Sequence, residues 1–217
     1  MKGKAYANRK KESERPMNDF YPTPYALVDV LVNQFGYIPG KTVLDCCCGK
    51  KSIGNRLRHY FPDIELTERD LILGNNFLAD DYGFSVQYTE SKYKAPDYEI
   101  KHYDEYYKDI IMNPPFKFFD EFVIKSKGIS DRVFCIGKID FLNAHNRNIN
   151  GLWDNLEWIL PFDRKVAYDR PYRDDGKFEC GMLNTGWFVW NAQYEGYPKV
   201  KVLDVNDYVV RKTDELR

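Results

Sequence analysis

The run Lys108–Phe119, KDIIMNPPFKFF, restricts what this chain can become more than any other stretch of its length. Asp109–Met112 is largely apolar and β-branched, too short to stand as a helix, and is expected as a buried strand. Pro114 and Pro115 remove two backbone donors and fix the chain, so the strand must stop there. Phe118, Phe119, Phe122 and Val123 then recur at helical spacing, and a helix is expected to follow. That order places Asn113–Phe116 at the carboxyl edge of a sheet, where open α/β folds bind ligands.

The chemistry such a corner allows is narrow. The carboxamide oxygen of Asn113 and the carbonyl of Pro114 both accept hydrogen bonds, and neither proline has an N–H to compete. Two convergent acceptors suit an –NH2 group conjugated to a ring or a carbonyl. Holding both amine protons draws the nitrogen lone pair out of conjugation and makes it nucleophilic. Phe116 offers a flat face on which a base can stack. By itself the tetrapeptide also fits a plain turn after a buried strand.

With 217 residues and 43% hydrophobic content the chain can bury a full core, and one domain is expected over 19–217, preceded by a basic arm at 1–18. No apolar run is long enough to span a membrane. Cys46, Cys47 and Cys48 are consecutive, which fits neither a disulfide framework nor a zinc-ligand spacing, so a reducing cytoplasm is expected and no metal. A net charge of -1 gives no general pull on nucleic acid, so any such surface must be a local patch.

Around the organising run, Leu27, Val28, Leu31, Val32 and Phe35 form one apolar helical face ended by Gly36, with Thr23 as a candidate cap and Pro24 at the first helical position. Lys41–Cys48 is expected as the first buried strand, with Gly49 opening a turn into a helix that carries Ile53, Leu57 and Tyr60, the mononucleotide-binding arrangement of doubly wound sheets. Ile64–Asp70 is a second strand, and an acidic residue at its end would accept bonds from ribose hydroxyls, Asp70 before Glu68. Inserts are expected near 80–107 and 163–183. Arg132–Lys138 and Thr185–Trp190 are further strands, a helix is expected around Gly151–Leu156, and Lys199–Asp204 is an edge-strand candidate. In Asp163–Asp175, Arg164, Lys165, Arg170 and Arg173 alternate with Tyr168 and Tyr172, either a nucleic-acid face or a surface hairpin.

Asn113-Pro114-Pro115-Phe116 resembles the catalytic tetrapeptide of S-adenosylmethionine-dependent amino-methyltransferases, above all the bacteriophage-type enzymes that methylate adenine N6 in DNA. The resemblance implies a doubly wound, mostly parallel seven-stranded α/β sheet with helices on both faces. It implies S-adenosylmethionine held by Tyr21, Thr23, Pro24, Asp45, Cys46, Gly49, Asp70, Asn76 and Asn113. Substrate contacts would come from Phe116, Arg147, Arg170, Arg173 and Trp187, with Phe188 the alternative to Trp187. Double-stranded DNA would be the partner, with the target base flipped out. Lys51 stands where the family's cofactor loop has a small residue, and Asn76 where it has an aspartate. The same tetrapeptide serves enzymes acting on RNA adenine or protein glutamine, and a fold that binds without catalysing is a third alternative.

Overall fold

The structure, a computed structural model, describes residues 22–78, 84–86, 98–100, 105–168, 171–173 and 178–205. In chain order these form α1 (Tyr25–Val30), β1 (Val43–Asp45), α2 (Ser52–Tyr60), β2 (Leu66–Glu68), β3 (Phe84–Val86), β4 (Tyr98–Ile100) and β5 (Tyr107–Met112). There follow α3 (Phe119–Gly128), β6 (Ser130–Lys138), α4 (His145–Ile149), β7 (Leu156–Pro161), β8 (Thr185–Asn191) and β9 (Lys199–Val200). Seven strands pair in the order β2-β1-β5-β6-β8-β7-β9, and β3 and β4 form a separate antiparallel pair within the expected first insert.

The α/β class and the seven strands match the expectation, but the sheet is mixed. From β2 to β6 every neighbouring pair is parallel, whereas β8 runs antiparallel to both β6 and β7. Helices cover both faces. Ile111, Phe134, Ile136, Trp187 and Val189 pack with α1 and α2, while Ile110, Met112, Cys135, Phe188 and Trp190 pack with α3. Cover on both sides is why β5 and β8 read as continuous apolar runs rather than alternating ones.

Such a strand does not fix its own register, because a one-residue slip exchanges one apolar face for the other. Polar anchors do it for β5. Asp109 is fully buried and accepts from Tyr37 Oη at 3.1 Å, Gly40 N at 2.6 Å, and Arg132 Nε and Nη2 at 2.7 and 2.8 Å. Arg132 also donates to the Ile38 carbonyl, so the node staples β5 and β6 to the chain leaving α1.

That helix runs on through one wider turn, Leu31–Phe35, and stops at Gly36, whose φ of 88° is left-handed, as the glycine predicts. Thr23 does not cap it. Pro24 occupies the cap position and the Thr23 hydroxyl is engaged elsewhere. The helix expected around Gly151–Leu156 is absent: α4 lies earlier, and Gly151 and Asn155 have φ of 66° and 61°, which break the turn that leads into β7.

Segment 163–183 is more than a surface hairpin, since Val166, Tyr168, Tyr172 and Phe178 are buried beside α1 and Tyr172 Oη accepts from Ala26 N. The expected edge strand is real but short, with one further bridge from Phe162 to Leu203. The basic arm at 1–18, Tyr21, Arg170 and most of 80–107 lie outside the described residues.

Candidate active site

Met112 ends β5 in the core, and Asn113 emerges half-buried at its carboxyl edge, followed by buried Pro114. A short 3-10 turn, Phe116–Phe118, carries the chain into α3. The Asn113 carboxamide is held in one orientation: its Nδ2 donates to Thr23 Oγ1 at 3.1 Å, and Thr23 is itself only 7% exposed. Thr23–Pro24 and the Asn113 corner, ninety residues apart in sequence, therefore form one unit. Asn113 Oδ1 and the Pro114 carbonyl have no hydrogen-bond partner among the described residues.

Phe116 stands in an aromatic recess. Phe141 and Tyr168 meet it edge-on with ring centres 6.0 and 6.4 Å away, and Lys138 Nζ lies 5.1 Å from its centre. Tyr168 is fixed in turn by its hydroxyl, 3.0 Å from Thr185 Oγ1. Its place was not foreseen: sequence marked it as a surface stacking residue, whereas it is core that backs Phe116.

Beside this corner lie the carboxyl ends of β1 and β2, in register at Asp45 and Glu68. Asp45 is completely buried. One oxygen has a weak contact with Cys47 N at 3.4 Å, and Oδ2 has no partner among the described residues. Burial pushes its carboxyl well above the ordinary 3.8, with Glu68 and Asp70 adding in the same direction. Glu68 Oε2 takes Arg58 at 3.0 Å and Lys51 at 3.4 Å, while its buried Oε1 also has no partner. Asp70, the expected ribose acceptor, is already engaged. Its two oxygens accept from Gly49 N at 2.8 Å and Ile72 N at 2.9 Å, which braces the Gly49 turn. Burial pushes the Cys46 thiol up and the Cys48 thiol up to about 12, which leaves neither as a nucleophile.

The Gly49 turn keeps the shape of a nucleotide loop without its second glycine. Lys51 has φ 62°, the left-handed conformation a glycine takes freely and a lysine adopts at a cost of about 1–2 kcal/mol. Its side chain swings to Glu68 rather than across the loop. Gly54, which the sequence analysis does not single out, packs α2 on β2: a Cβ there would lie 2.2 Å from Glu68 Oε1 and 3.0 Å from Leu66 Cδ2. Counted from Gly49, it is the third glycine of a G-x-G-x-x-G spacing, the one that allows close helix–strand packing. That count was the missed indication.

The other expected contacts separate. Asn76 is exposed on the turn after β2, anchored by buried Phe77. Arg147 does not face the corner openly: its Nε donates to Asp120 at 2.6 Å and its guanidinium lies 4.3 Å from the Phe141 ring centre, so it joins α4 to α3. Arg173 faces Glu179 at 3.9 Å. Trp187 is fully buried with its indole N–H on the Leu27 carbonyl at 2.8 Å, and Phe188 is fully buried on the opposite face, so neither presents a ring to a base.

No protein-family model matches the sequence, and no curated protein matches it either. Solved structures do share its fold. The methyltransferase subunit of a type I restriction-modification system from Streptococcus thermophilus superposes with a TM-score of 0.54 at 9% identity, over 86% of this chain and 48% of that one. A modification subunit attributed to a type I restriction enzyme from Vibrio vulnificus YJ016 gives 0.52 at 14% identity, over 84% and 47%. The chain thus spans about half the length of these subunits and has their α/β fold.

Proposed function

We propose that the protein is an S-adenosylmethionine-dependent methyltransferase of the bacteriophage-type Asn-Pro-Pro-Phe class, acting on the N6 amino group of adenine in DNA. One observation carries this: the carboxamide of Asn113 is turned by Thr23 so that its oxygen, with the Pro114 carbonyl, is left unpaired at the carboxyl edge of β5. Two acceptors and no donor suit an exocyclic amine.

The residues present fit the cofactor. S-adenosylmethionine offers ribose hydroxyls, an ammonium and a sulfonium, and the site holds buried unpartnered carboxylate oxygens on Asp45 and Glu68 beside the Gly49 turn. When bound, it supplies an electrophilic methyl group. Asp45 and Glu68 would accept its donors, and the backbone of Cys46–Gly49 would line its path. Asn113 and Pro114 would take both amine hydrogens, concentrating the nitrogen lone pair as charge develops, and Phe116 would hold the flipped base flat. The amine proton then leaves through these oxygens to water, so no strong base is required. Preorganised acceptors of this type contribute roughly 10²–10³ in rate when compared with their deletion.

The test combines labelled S-adenosylmethionine with DNA, RNA and protein pools, followed by identification of the modified base. Asn113→Ala is expected to keep its thermal midpoint and cofactor affinity and lose transfer by about 10²-fold or more. Undiminished transfer by that variant would sink the mechanism. Transfer only to RNA or to glutamine would move the substrate, and no cofactor binding by calorimetry would mean a non-catalytic binding protein.

A further inference from the structure

Three of the cations that sequence nominates for a substrate already face carboxylates. Arg147 is tied to Asp120, Arg164 to Asp163 at 2.5 Å, and Arg173 faces Glu179. Two lysines instead flank the Asn113–Phe116 corner, and neither has a carboxylate partner among the described residues. Lys138 ends β6 on the same face as Phe134 and Ile136, its Nζ 5.1 Å from the ring centre of Phe116 and 5.9 Å from that of Phe141. Exposed Lys117 follows Phe116 directly, and its Nζ lies 5.3 Å from the ring centre of Phe118. Phe118 is 40% exposed, although Phe119 and Phe122 next to it fill the α3 core. The corner thus carries two cation–aromatic couples, Lys138 on Phe116 and Lys117 on Phe118.

A ring face steadies an ammonium without neutralising it, so both charges stay available to an anion. Alternating rings and cations match the repeat of an unpaired strand, whose bases stack and whose phosphates need countercharge. We infer that these couples bind a single polynucleotide strand around the reacting base. Phe116 takes the target base, Phe118 stacks a neighbouring base, and Lys138 and Lys117 pass from the rings to the flanking phosphates. Lys138 must leave the Phe116 face for a base to stack on it, so base insertion and phosphate contact occur together. The identity of the target base rests on the proposed function; the strand contact does not.

The experiment uses the full-length protein and fluorescence anisotropy. Probes are a labelled single-stranded DNA, its duplex, the RNA of the same sequence and a neutral-backbone analogue, each titrated across a salt series. Salt-dependent binding of the single-stranded DNA, the duplex or the RNA supports the inference, and the arms tell which form is used. Lys138→Gln and Lys117→Gln are each expected to reduce the slope of log affinity against log salt by about 0.7. Phe118→Ala is expected to weaken strand binding about tenfold with the slope unchanged. Neutral-backbone binding should show no salt slope. Wild-type slopes and affinities in all three variants, with thermal midpoints intact, would overturn the inference, as would a wild-type protein that binds none of the probes. Strand binding without methyl transfer would overturn the proposed function alone. Methyl transfer to the base with unaltered slopes in the variants would overturn this inference alone.

Discussion

Asp45 and Asp109 sit on neighbouring strands and on the same face of the sheet, with the chain partner of Asp109 only two residues before Asp45. Strand geometry separates those two levels by about 7 Å. Both side chains are fully buried. Asp109 is surrounded by donors from Tyr37, Gly40 and Arg132, whereas Asp45 has one weak amide contact and an oxygen with no partner. Burial costs a carboxylate several kcal/mol unless donors compensate, so the two cannot serve the same purpose. A carboxylate that the fold has satisfied holds elements together. One that the fold leaves bare suits donors from outside the chain, and Asp45 ends β1 at the carboxyl edge of the sheet.

The contrast can be broken first at its larger member. Asp109→Ala should remove about 3 kcal/mol of stability, because Arg132, Tyr37 and the Gly40 amide all lose their acceptor. Denaturant unfolding measures it, and a variant as stable as the wild type would show that the node is ornamental. Cofactor affinity of the folded fraction should not change.

Asp45→Asn should act in the opposite direction, raising stability by about 1–2 kcal/mol near neutral pH while weakening cofactor binding. The pH dependence follows from the raised carboxyl. In the window above the ordinary 3.8 the folded state binds more protons than the unfolded state, so wild-type stability falls as pH rises toward the folded value. The advantage of the variant should therefore grow with pH across that window and vanish below it. Unfolding curves at a series of pH values check the sign, and a gap that widens toward acid would refute it.

The smallest change sharpens the comparison at the reacting corner. Thr23→Val removes the acceptor for Asn113 Nδ2 without changing volume, and is expected to lower kcat about tenfold (~1.4 kcal/mol) with cofactor affinity unchanged. Thr23→Ser should restore it. A fall in cofactor affinity with kcat intact would return Thr23 to the cofactor.

Much of the carboxyl edge of β5 and β1 was legible in sequence. Two prolines after a β-branched run can only end a strand, and Gly36 and Gly49 mark turns through their backbone freedom. What failed was whatever depends on partners far along the chain. Arg147 was placed on the substrate by resemblance, which does not see Asp120, its partner 27 residues away, and Tyr168 and Tyr172 looked like a stacking surface because α1, which buries them, begins more than 140 residues earlier. Trp187 was given to the substrate by resemblance alone, while its exposure is set by β6 and β7 on either side, and Phe188 is buried as an apolar central strand implies. Gly151–Leu156 shows a local failure: Leu152, Trp153 and Leu156 have helical spacing, yet two left-handed residues frame them. Asp70 and Glu68 differ by two positions, and the Gly49 and Ile72 amides that engage Asp70 are not legible from that spacing.

The strand that closes the sheet also sets an order of events during synthesis. β8 lies between β6 and β7, yet it is translated after both. Until residues 185–191 have left the ribosome, two long apolar strands each offer an open hydrogen-bonding edge, a known route to association between nascent chains. Messages cut short within the 23 codons (162–184) that separate β7 from β8 would therefore yield sticky fragments, and a chaperone that shields β6 and β7 would be needed most over that interval.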